Sequence, residues 1–161
     1  MLLPFNNLLQ MIIAAFFFMV FTLCTWYEGS EIMDRPWEWK YFTHFTQVND
    51  VQAMEAKDIS NLDHFVYAAK FKPQFPFLMV LAASYLIILT GYILFKRSIK
   101  KMALFLLGLG ILFLLSNGIV SNSPTVGGNI FHAFFLISGM MAVIGAALYY
   151  FLMPTGLHTE V

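Results

Sequence analysis

Four stretches of the chain are continuous apolar runs without Asp, Glu, Lys or Arg, and they cover residues 8–26, 75–95, 102–120 and 130–153. A helix needs about 20 predominantly apolar residues to cross the hydrocarbon core of a bilayer, so each run is long enough to span it. The pattern predicts a single all-α integral membrane domain, a four-helix bundle. The even number of spans places both termini on the same side of the membrane.

The connections between the last three runs are short and polar. Residues 96–101 join the second and third spans, and residues 121–129 join the third and fourth. Short connections of this kind join antiparallel neighbours, so each pair is expected to form a helical hairpin. In the second connection, Pro124 ends one helix and Asn129 is predicted to cap the next.

The first loop, residues 27–74, is long enough to form a small domain at the membrane surface. After Pro36, every second side chain is aromatic or β-branched, which is typical of a strand; these residues are Trp37, Trp39, Tyr41, Thr43 and Phe45. Asn49 and Asp50 are a turn signal, and residues 51–57 are either a returning strand or a helical segment. The loop is therefore predicted to be a small α+β cap.

A short helix is predicted at the end of this loop. Ser60 is placed as its N-cap with Asp63 three residues later, and Pro73 ends it. One face at helical spacing is apolar and is expected to rest on the membrane or on the small sheet; it consists of Leu62, Phe65, Val66 and Ala69.

The positive charges near the membrane ends orient the chain. The connection 96–101 carries Lys96, Arg97, Lys100 and Lys101, whereas the five cations of the first loop are spread over residues 35–72. Dense cations beside a membrane end oppose translocation most strongly. We therefore expect the connection 96–101 and both termini in the cytoplasm, and the first loop outside.

Composition agrees with a membrane protein and excludes other classes. Of the 161 residues, 60% are hydrophobic and 11% are charged, against a charged share of about 25% in soluble domains. The formal net charge is zero, so nucleic acid is not an expected partner. The single cysteine, Cys24, excludes an intramolecular disulfide and a thiolate cluster.

Several short segments resemble a known family. They are residues 26–30 (WYEGS), 36–41 (PWEWKY), 58–60 (DIS), 67–70 (YAAK) and 121–124 (SNSP). In these segments the chain resembles an uncharacterised family of small four-helix membrane proteins from Bacillus-like Gram-positive bacteria. The resemblance implies the four-span layout and a plasma-membrane location, and it implies no activity.

The predicted spans carry no formal charge, whereas ion-coupled transporters and voltage sensors place charged residues inside the membrane. A voltage sensor is excluded, a secondary transporter is disfavoured, and an oligomeric pore stays open. The sequence shows no catalytic motif and no set of metal ligands at a recognised spacing. We therefore predict no catalytic residue, no metal and no cofactor, and an enzyme is the less favoured class.

Three polar residues are expected to converge at the membrane boundary beneath the cap. Asn117 and His132 lie near the ends of the third and fourth spans that the connection 121–129 joins, and Glu28 follows the first span. These side chains are suited to binding a head group or a metal, or to acid and base roles. The alternative, which we favour, is a hydrogen-bonded network that fixes the helix ends.

The most specific part of the sequence is the aromatic segment of the first loop. Trp37, Trp39 and Tyr41 are the candidate partner surface, because Trp and Tyr are frequent anchors of protein interfaces. The favoured function is a non-enzymatic cell-envelope recognition or accessory protein, whose partners are the lipid bilayer and another membrane or envelope protein. The alternatives are a small membrane enzyme or ligand carrier that uses the polar residues, and the pore.

Overall fold

The protein is described by a computed structural model that covers residues 5–42, 45–46 and 55–152. Its α-helices in chain order are α1 (Phe5–Gly29), α2 (Trp39–Phe42), α3 (Asn61–Phe71), α4 (Gln74–Phe95), α5 (Ile99–Val120) and α6 (Val126–Leu152). Helices α1, α4, α5 and α6 begin one to four residues before the predicted spans. Residues 30–42, 45–46 and 55–72 lie at one end of these helices, and we call them the cap.

The four long helices are each long and apolar enough to cross a membrane, which confirms the prediction of four such helices. Only 11% to 22% of the residues in their apolar centres are buried inside the protein. Large side chains such as Ile119 and Phe151 are about four-fifths exposed. So much exposed apolar surface is typical of helices that lie in hydrocarbon and not in water.

The long helices are arranged as two antiparallel pairs, α1 with α4 and α5 with α6. In the second pair the two backbones come close together at Gly110 and Gly139. A Cβ atom on Gly110 would lie 3.1 Å from the carbonyl oxygen of Gly139, and one on Gly139 would lie 3.2 Å from that of Gly110. Small residues at this point let the two backbones touch, which is how membrane helices associate without a hydrophobic drive.

Aromatic side chains join the two pairs. At the cap end, the ring of Phe77 on α4 contacts Phe131 and Phe134 on α6, with centroid distances of 6.3 and 5.4 Å. At the opposite end, Phe105 on α5 lies against Gly91 on α4 and contacts Phe95 at 5.6 Å. The rings therefore fix the pairs to each other near both ends of the spans.

The connection before α6 differs from the prediction in its capping residue. Thr125, and not Asn129, caps the helix, because its hydroxyl accepts the backbone N–H of Gly128 at 3.0 Å. Ser123 lies within hydrogen-bond distance of the same hydroxyl, at 3.0 Å. The helix therefore starts about one turn earlier than the sequence suggested, because a threonine hydroxyl was available to satisfy its first N–H groups.

The predicted α+β cap is wrong: the described residues contain helices and no strand. In the described residues, the 3₁₀ helix Pro36–Glu38 and α2 occupy the first part of the predicted strand, and the 3₁₀ helix Ser30–Asp34 precedes it. The 3₁₀ helix Ala56–Asp58 overlaps the end of the segment 51–57, of which residues 51–54 lie outside the described ranges. Pro36 begins a helical turn, for which its fixed φ is suited. The ion pairs of Arg35 with Glu31 and Glu38 link the two 3₁₀ helices on either side of Arg35. The expected turn at Asn49 and Asp50 lies outside the described residues.

The helix predicted after Ser60 is confirmed as α3, and the hydroxyl of Ser60 accepts the N–H of Leu62 at 3.3 Å. Its buried face is different from the predicted one. Leu62 is 55% exposed, and the fully buried positions are Asp63, His64, Tyr67 and Ala68. The prediction assumed that α3 rests on a flat surface, whereas α3 lies between other helices and needs partners on several sides.

Candidate functional site

A small apolar core holds the cap together. It contains Ile32, Trp39, Ile59 and Tyr67, each no more than 8% exposed. The indole N–H of Trp39 donates to the backbone carbonyl of Ile32 at 2.8 Å, so the polar group that tryptophan brings into the core has a partner. Residues far apart in the sequence are thereby fixed against α3, which makes the cap a single packed unit.

A chain of polar contacts runs around this core and returns to α3. Lys72, directly after α3, pairs with Glu31, which also pairs with Arg35. Arg35 Nη1 lies 3.4 Å from Glu38 Oε1, and Glu38 accepts a hydrogen bond from Tyr67 of α3. These ion pairs are partly exposed, so each contributes no more than about 1 kcal/mol. Their main effect is to fix where the segment before α2 lies on α3.

Two pKa shifts favour the protonation states that make these contacts. Burial raises the pKa of Tyr67 to about 12, and the hydrogen bond to Glu38 and the charge of that carboxylate act in the same direction. The hydrogen bond with Glu31 raises the pKa of Lys72. At neutral pH the phenol therefore stays a donor and the ammonium stays charged.

Two glycines let α3 fit between α1 and α6. A Cβ atom on Gly29 of α1 would lie 2.0 Å from the carbonyl oxygen of His64, and one on Gly127 of α6 would lie 1.8 Å from that of Ala69. Five residues separate the two contact points on α3, which at about 100° per residue puts them on faces about 140° apart. Helix α3 therefore separates the cap ends of α1 and α6 and contacts both backbones.

His64 is buried in the contact between α3 and α1. It is 3% exposed, and neither Nδ1 nor Nε2 has a hydrogen-bond partner. The indole of Trp26 on α1 lies beside the ring, with centroids 5.9 Å apart, and its N–H donates to Asn61 Oδ1 at 3.0 Å. Burial lowers the pKa of His64, and the neighbouring carboxylate of Asp63 opposes this effect. The imidazole is therefore neutral at neutral pH.

Asp63 connects α3 to the loop that carries the aromatic segment. Its fully buried carboxylate accepts the backbone N–H of Phe45 at 3.0 Å and the hydroxyl of Thr46 at 2.6 Å. Thr46 in turn accepts the N–H of Ser60 at 2.9 Å. The predicted capping acid therefore binds a distant loop through charge-assisted hydrogen bonds, which are among the stronger contacts available to a side chain.

The three residues of the candidate partner surface are divided between surface and core. Trp37 is 71% exposed and Tyr41 is 63% exposed, whereas Trp39 is 7% exposed and belongs to the core of the cap. The helical turns that replace the predicted strand cause this division, because alternate residues no longer share a face. Trp37 and Tyr41 are thus exposed on the cap, while Trp39 between them is buried in the core and holds this segment in place.

Asn117 and His132 lie at the same level of the α5–α6 pair. Asn117 follows Gly110 by seven residues, and His132 precedes Gly139 by seven residues. Seven residues are about two turns and return to nearly the same helix face, so both positions lie on the facing sides of the pair. Asn117 Oδ1 and His132 Nδ1 are buried and have no hydrogen-bond partner.

Glu28 lies in different surroundings. It precedes Gly29 on α1, so it is on the side of α3 that faces α1, whereas α6 contacts another side. One of its carboxylate oxygens is buried without a hydrogen-bond partner, and its charge acts on Lys72. The structure thus places Asn117 and His132 at one level on the facing sides of α5 and α6, and it places Glu28 near the end of α3. In the described ranges no group of three or more His, Cys, Asp and Glu residues is arranged to hold a metal.

Sequence reasoning missed His64, Asp63 and the two contact glycines. An N-cap signal at Ser60 pointed to Asp63, but the signal predicts a local bond to the start of the helix and not a bond to Phe45 and Thr46. No sequence signal distinguishes His64 from an exposed histidine. Its burial depends on Gly29, which is 35 positions earlier and whose missing side chain lets α1 approach.

The fold and the cap define the class of this protein: in its described residues it is all-helical, with four helices long and apolar enough to cross a membrane and a compact helical cap at one end of them. The chain belongs to the family described as a domain of unknown function (DUF4306), whose profile matches residues 8–95, from α1 to the end of α4. It is similar to the uncharacterised protein YjdJ of Bacillus subtilis (strain 168), with 33% identity over 85 residues, which are 52% of this chain and 76% of that protein. The predicted resemblance to an uncharacterised family of Bacillus-like bacteria is confirmed. No solved structure matches the chain.

Proposed function

We propose that the protein is a non-enzymatic recognition or accessory protein of the plasma membrane, with both termini in the cytoplasm and the cap outside. In this proposal the cap binds another membrane or envelope protein through a surface that includes Trp37 and Tyr41. The dense cations of the connection between α4 and α5, at the end of the spans opposite the cap, support this orientation.

The observation that carries the proposal is the exposure of two large aromatic side chains on a fixed support. Trp37 and Tyr41 are mostly exposed, although Trp39 between them is buried and hydrogen-bonded. Aromatic side chains held in place lose little conformational freedom on binding, which is why they serve as anchors at protein interfaces. The mixed charges nearby, with Asp34 and Lys40 both exposed, suit a protein surface better than a strongly charged polymer.

Photo-crosslinking in intact cells tests this proposal. A photoreactive phenylalanine analogue at Tyr41 should form a reproducible crosslink to one protein, and Trp37→Ala should abolish the crosslink without lowering the amount of protein in the membrane. The matched control places the analogue at Leu104, which is 70% exposed on α5. Crosslinks to lipid alone, or to many proteins regardless of Trp37, would contradict the proposal.

The orientation is tested separately by enzymatic reporters fused after the C-terminus and inserted in the connection between α4 and α5. Both positions should report the cytoplasm. A cytoplasmic signal from a reporter inserted in the first loop would contradict this orientation and would place the cap in the cytoplasm.

A second candidate function is ligand binding beneath the cap by Asn117 and His132. The observation that favours it is the pair of buried atoms without a partner, Asn117 Oδ1 and His132 Nδ1, at one level of the α5–α6 pair. Leaving a buried polar group unpaired costs roughly 1–3 kcal/mol, and a bound hydroxyl or amide group would remove that cost.

Native mass spectrometry of the full-length protein tests this second function. The wild-type protein should carry a bound small molecule that the variant Asn117→Leu/His132→Leu lacks, while Ser116→Leu on the neighbouring position retains it. Identical spectra for the wild-type protein and the double variant would refute ligand binding at this pair.

A further inference from the structure

We infer that His64 makes the docking of α3 against α1 sensitive to pH, so that acidification of the outer medium releases α3 and with it the aromatic surface of the cap. The inference rests on the proposed function for the meaning of that surface and for the outward location of the cap. The docking itself follows from contacts within the protein.

The described surroundings of His64 do not stabilise a charged imidazole. His64 is 3% exposed, both of its ring nitrogens lack a hydrogen-bond partner, and the indole of Trp26 lies beside the ring. The backbone of α1 is in contact with the backbone of His64 at Gly29, so water has no path from that side. A second proton would create a charge with two N–H donors, and none of the described residues accepts a hydrogen bond from either ring nitrogen.

The sign of the pH dependence follows from the direction of the pKa shift. Burial lowers the pKa of His64 in the docked state, while a released His64 is hydrated and titrates near its ordinary value of about 6.5. Protons therefore bind the released state preferentially, so docking is strongest above this value and weakens as the pH falls below it. If the docked state excludes the proton entirely, the docking equilibrium constant falls about tenfold at pH 5.5.

Other charged groups do not reverse this direction. Asp63, the neighbour of His64 on α3, raises the pKa, but its effect is smaller than that of burial. Its carboxylate is already occupied by Phe45 and Thr46. Burial and Asp63 are the causes of the shift in the His64 pKa; the charged or ionisable Asp, Glu, Lys and His residues of the described elements that pack against α3 are not among these causes, and they are Glu28, Glu31, Asp34, Lys40 and His132.

Release of α3 would reach the proposed partner surface through the contacts that hold the cap. Asp63 holds the loop at Phe45 and Thr46, and Tyr67 belongs to the core that contains Trp39. Because Trp37 and Tyr41 flank Trp39, they keep their positions only while this core is packed. A proton at His64 would therefore weaken binding at a site that His64 does not touch.

Hydrogen–deuterium exchange of the full-length protein in lipid nanodiscs tests the inference without any partner. After correction for the intrinsic effect of pH on exchange, the protection of α3 amides should fall by up to about tenfold from pH 7.5 to pH 5.5. In His64→Phe, which keeps a ring but cannot be protonated, protection should not change over this range. The matched control is Asp34→Asn, which removes an exposed ionisable group of the cap and should keep the wild-type response.

A second variant, His64→Gln, keeps the test decisive if the larger ring prevents folding. The α3 amides of this variant should be less protected than those of the wild-type protein at pH 7.5. Their protection should be the same at pH 7.5 and pH 5.5. A flat response of the wild-type protein, or a wild-type response in either His64 variant, would overturn the inference. Failure of the crosslink at Tyr41 at pH 7.5 would instead refute the proposed function and leave the exchange result unaffected.

Discussion

Gly29→Ala is the sharpest test of how the cap is attached to the spans. The glycine has an ordinary helical backbone, φ −69° and ψ −23°, so it is needed for space and not for conformational freedom. Its substituted Cβ would lie 2.0 Å from the carbonyl oxygen of His64, whereas real contacts of this kind do not fall below 3.0 Å. The backbones of α1 and α3 must therefore separate by at least about 1 Å, since the opposing atom is backbone and cannot rotate away.

Overpacking of this kind costs about 1–3 kcal/mol, and the upper end applies where backbone meets backbone. We expect a loss of about 3 kcal/mol in the docking of α3, which is a fall of roughly 100-fold in the docking equilibrium constant. The measurement is hydrogen–deuterium exchange of α3 in nanodiscs at pH 7.5, where His64 is neutral. Gly127→Ala should have a similar effect, because its Cβ would lie 1.8 Å from the carbonyl oxygen of Ala69.

Gly118→Ala and Gly145→Ala are the matched controls for this experiment. A Cβ atom at either position meets no heavy atom within 4 Å, so the helix-favouring alanine should leave α3 protection unchanged. If the α3 amides of Gly29→Ala are as protected as those of the wild-type protein, the close contact of α3 with Gly29 is refuted. Equal loss in Gly118→Ala would show that the effect is not specific to the contact with α3.

Three further predictions concern the interior of the cap. Trp39→Phe should destabilise residues 30–42 by about 2–3 kcal/mol in hydrogen–deuterium exchange, because the buried carbonyl of Ile32 loses its hydrogen-bond donor. The control is Trp37→Phe, which should change the stability of these residues by less than about 0.5 kcal/mol, because Trp37 is mostly exposed. Asp63→Asn should speed exchange of the Phe45 amide by a factor that corresponds to about 1–3 kcal/mol, because the NH₂ group of asparagine cannot accept the hydrogen bond that the Thr46 hydroxyl donates to Asp63. The control is Asp34→Asn at an exposed position, which should have no effect. Tyr67→Phe should remove a phenolate that forms near pH 12 in the ultraviolet titration of the wild-type protein. The cap of the wild-type protein should lose stability between about pH 10 and pH 12, because a released Tyr67 gives up its proton near pH 10. Identical titrations of the wild-type protein and Tyr67→Phe near pH 12 would contradict the assignment of the raised pKa to Tyr67.

The membrane helices were predictable because their signal is local. Twenty apolar residues without a charge specify a spanning helix whatever surrounds them, and Ser60 specifies the start of α3 through its own hydroxyl. The prediction of a strand from Trp37 to Phe45 was wrong because alternating aromatic residues are also compatible with helical turns when one of them, Trp39, is buried in the core of the cap. Pro36, whose fixed φ suits the first turn of a helix, was the local sign of helical structure in this segment.

The candidate site was less predictable because its geometry depends on distant segments. Asn117 and His132 could be placed at one level from the length of a single connection. The position of Glu28 depends on which side of α3 meets α1, and that is set by Gly29 and Gly127, almost one hundred residues apart. The sequence shows where these glycines are but not which backbone they approach.

The contacts of α3 with both Gly29 and Gly127 also determine when the cap can mature during synthesis. Helix α3 ends at Phe71, and Gly127 leaves the ribosome 56 residues later. At about 5–20 residues per second this interval lasts roughly 3–11 s. Throughout it α3 can contact α1 but lacks its contacts with α6. The packing of the cap is therefore completed only after the start of α6 has been made, so a chain that stalls before α6 or misplaces it leaves α3 without one of its backbone contacts.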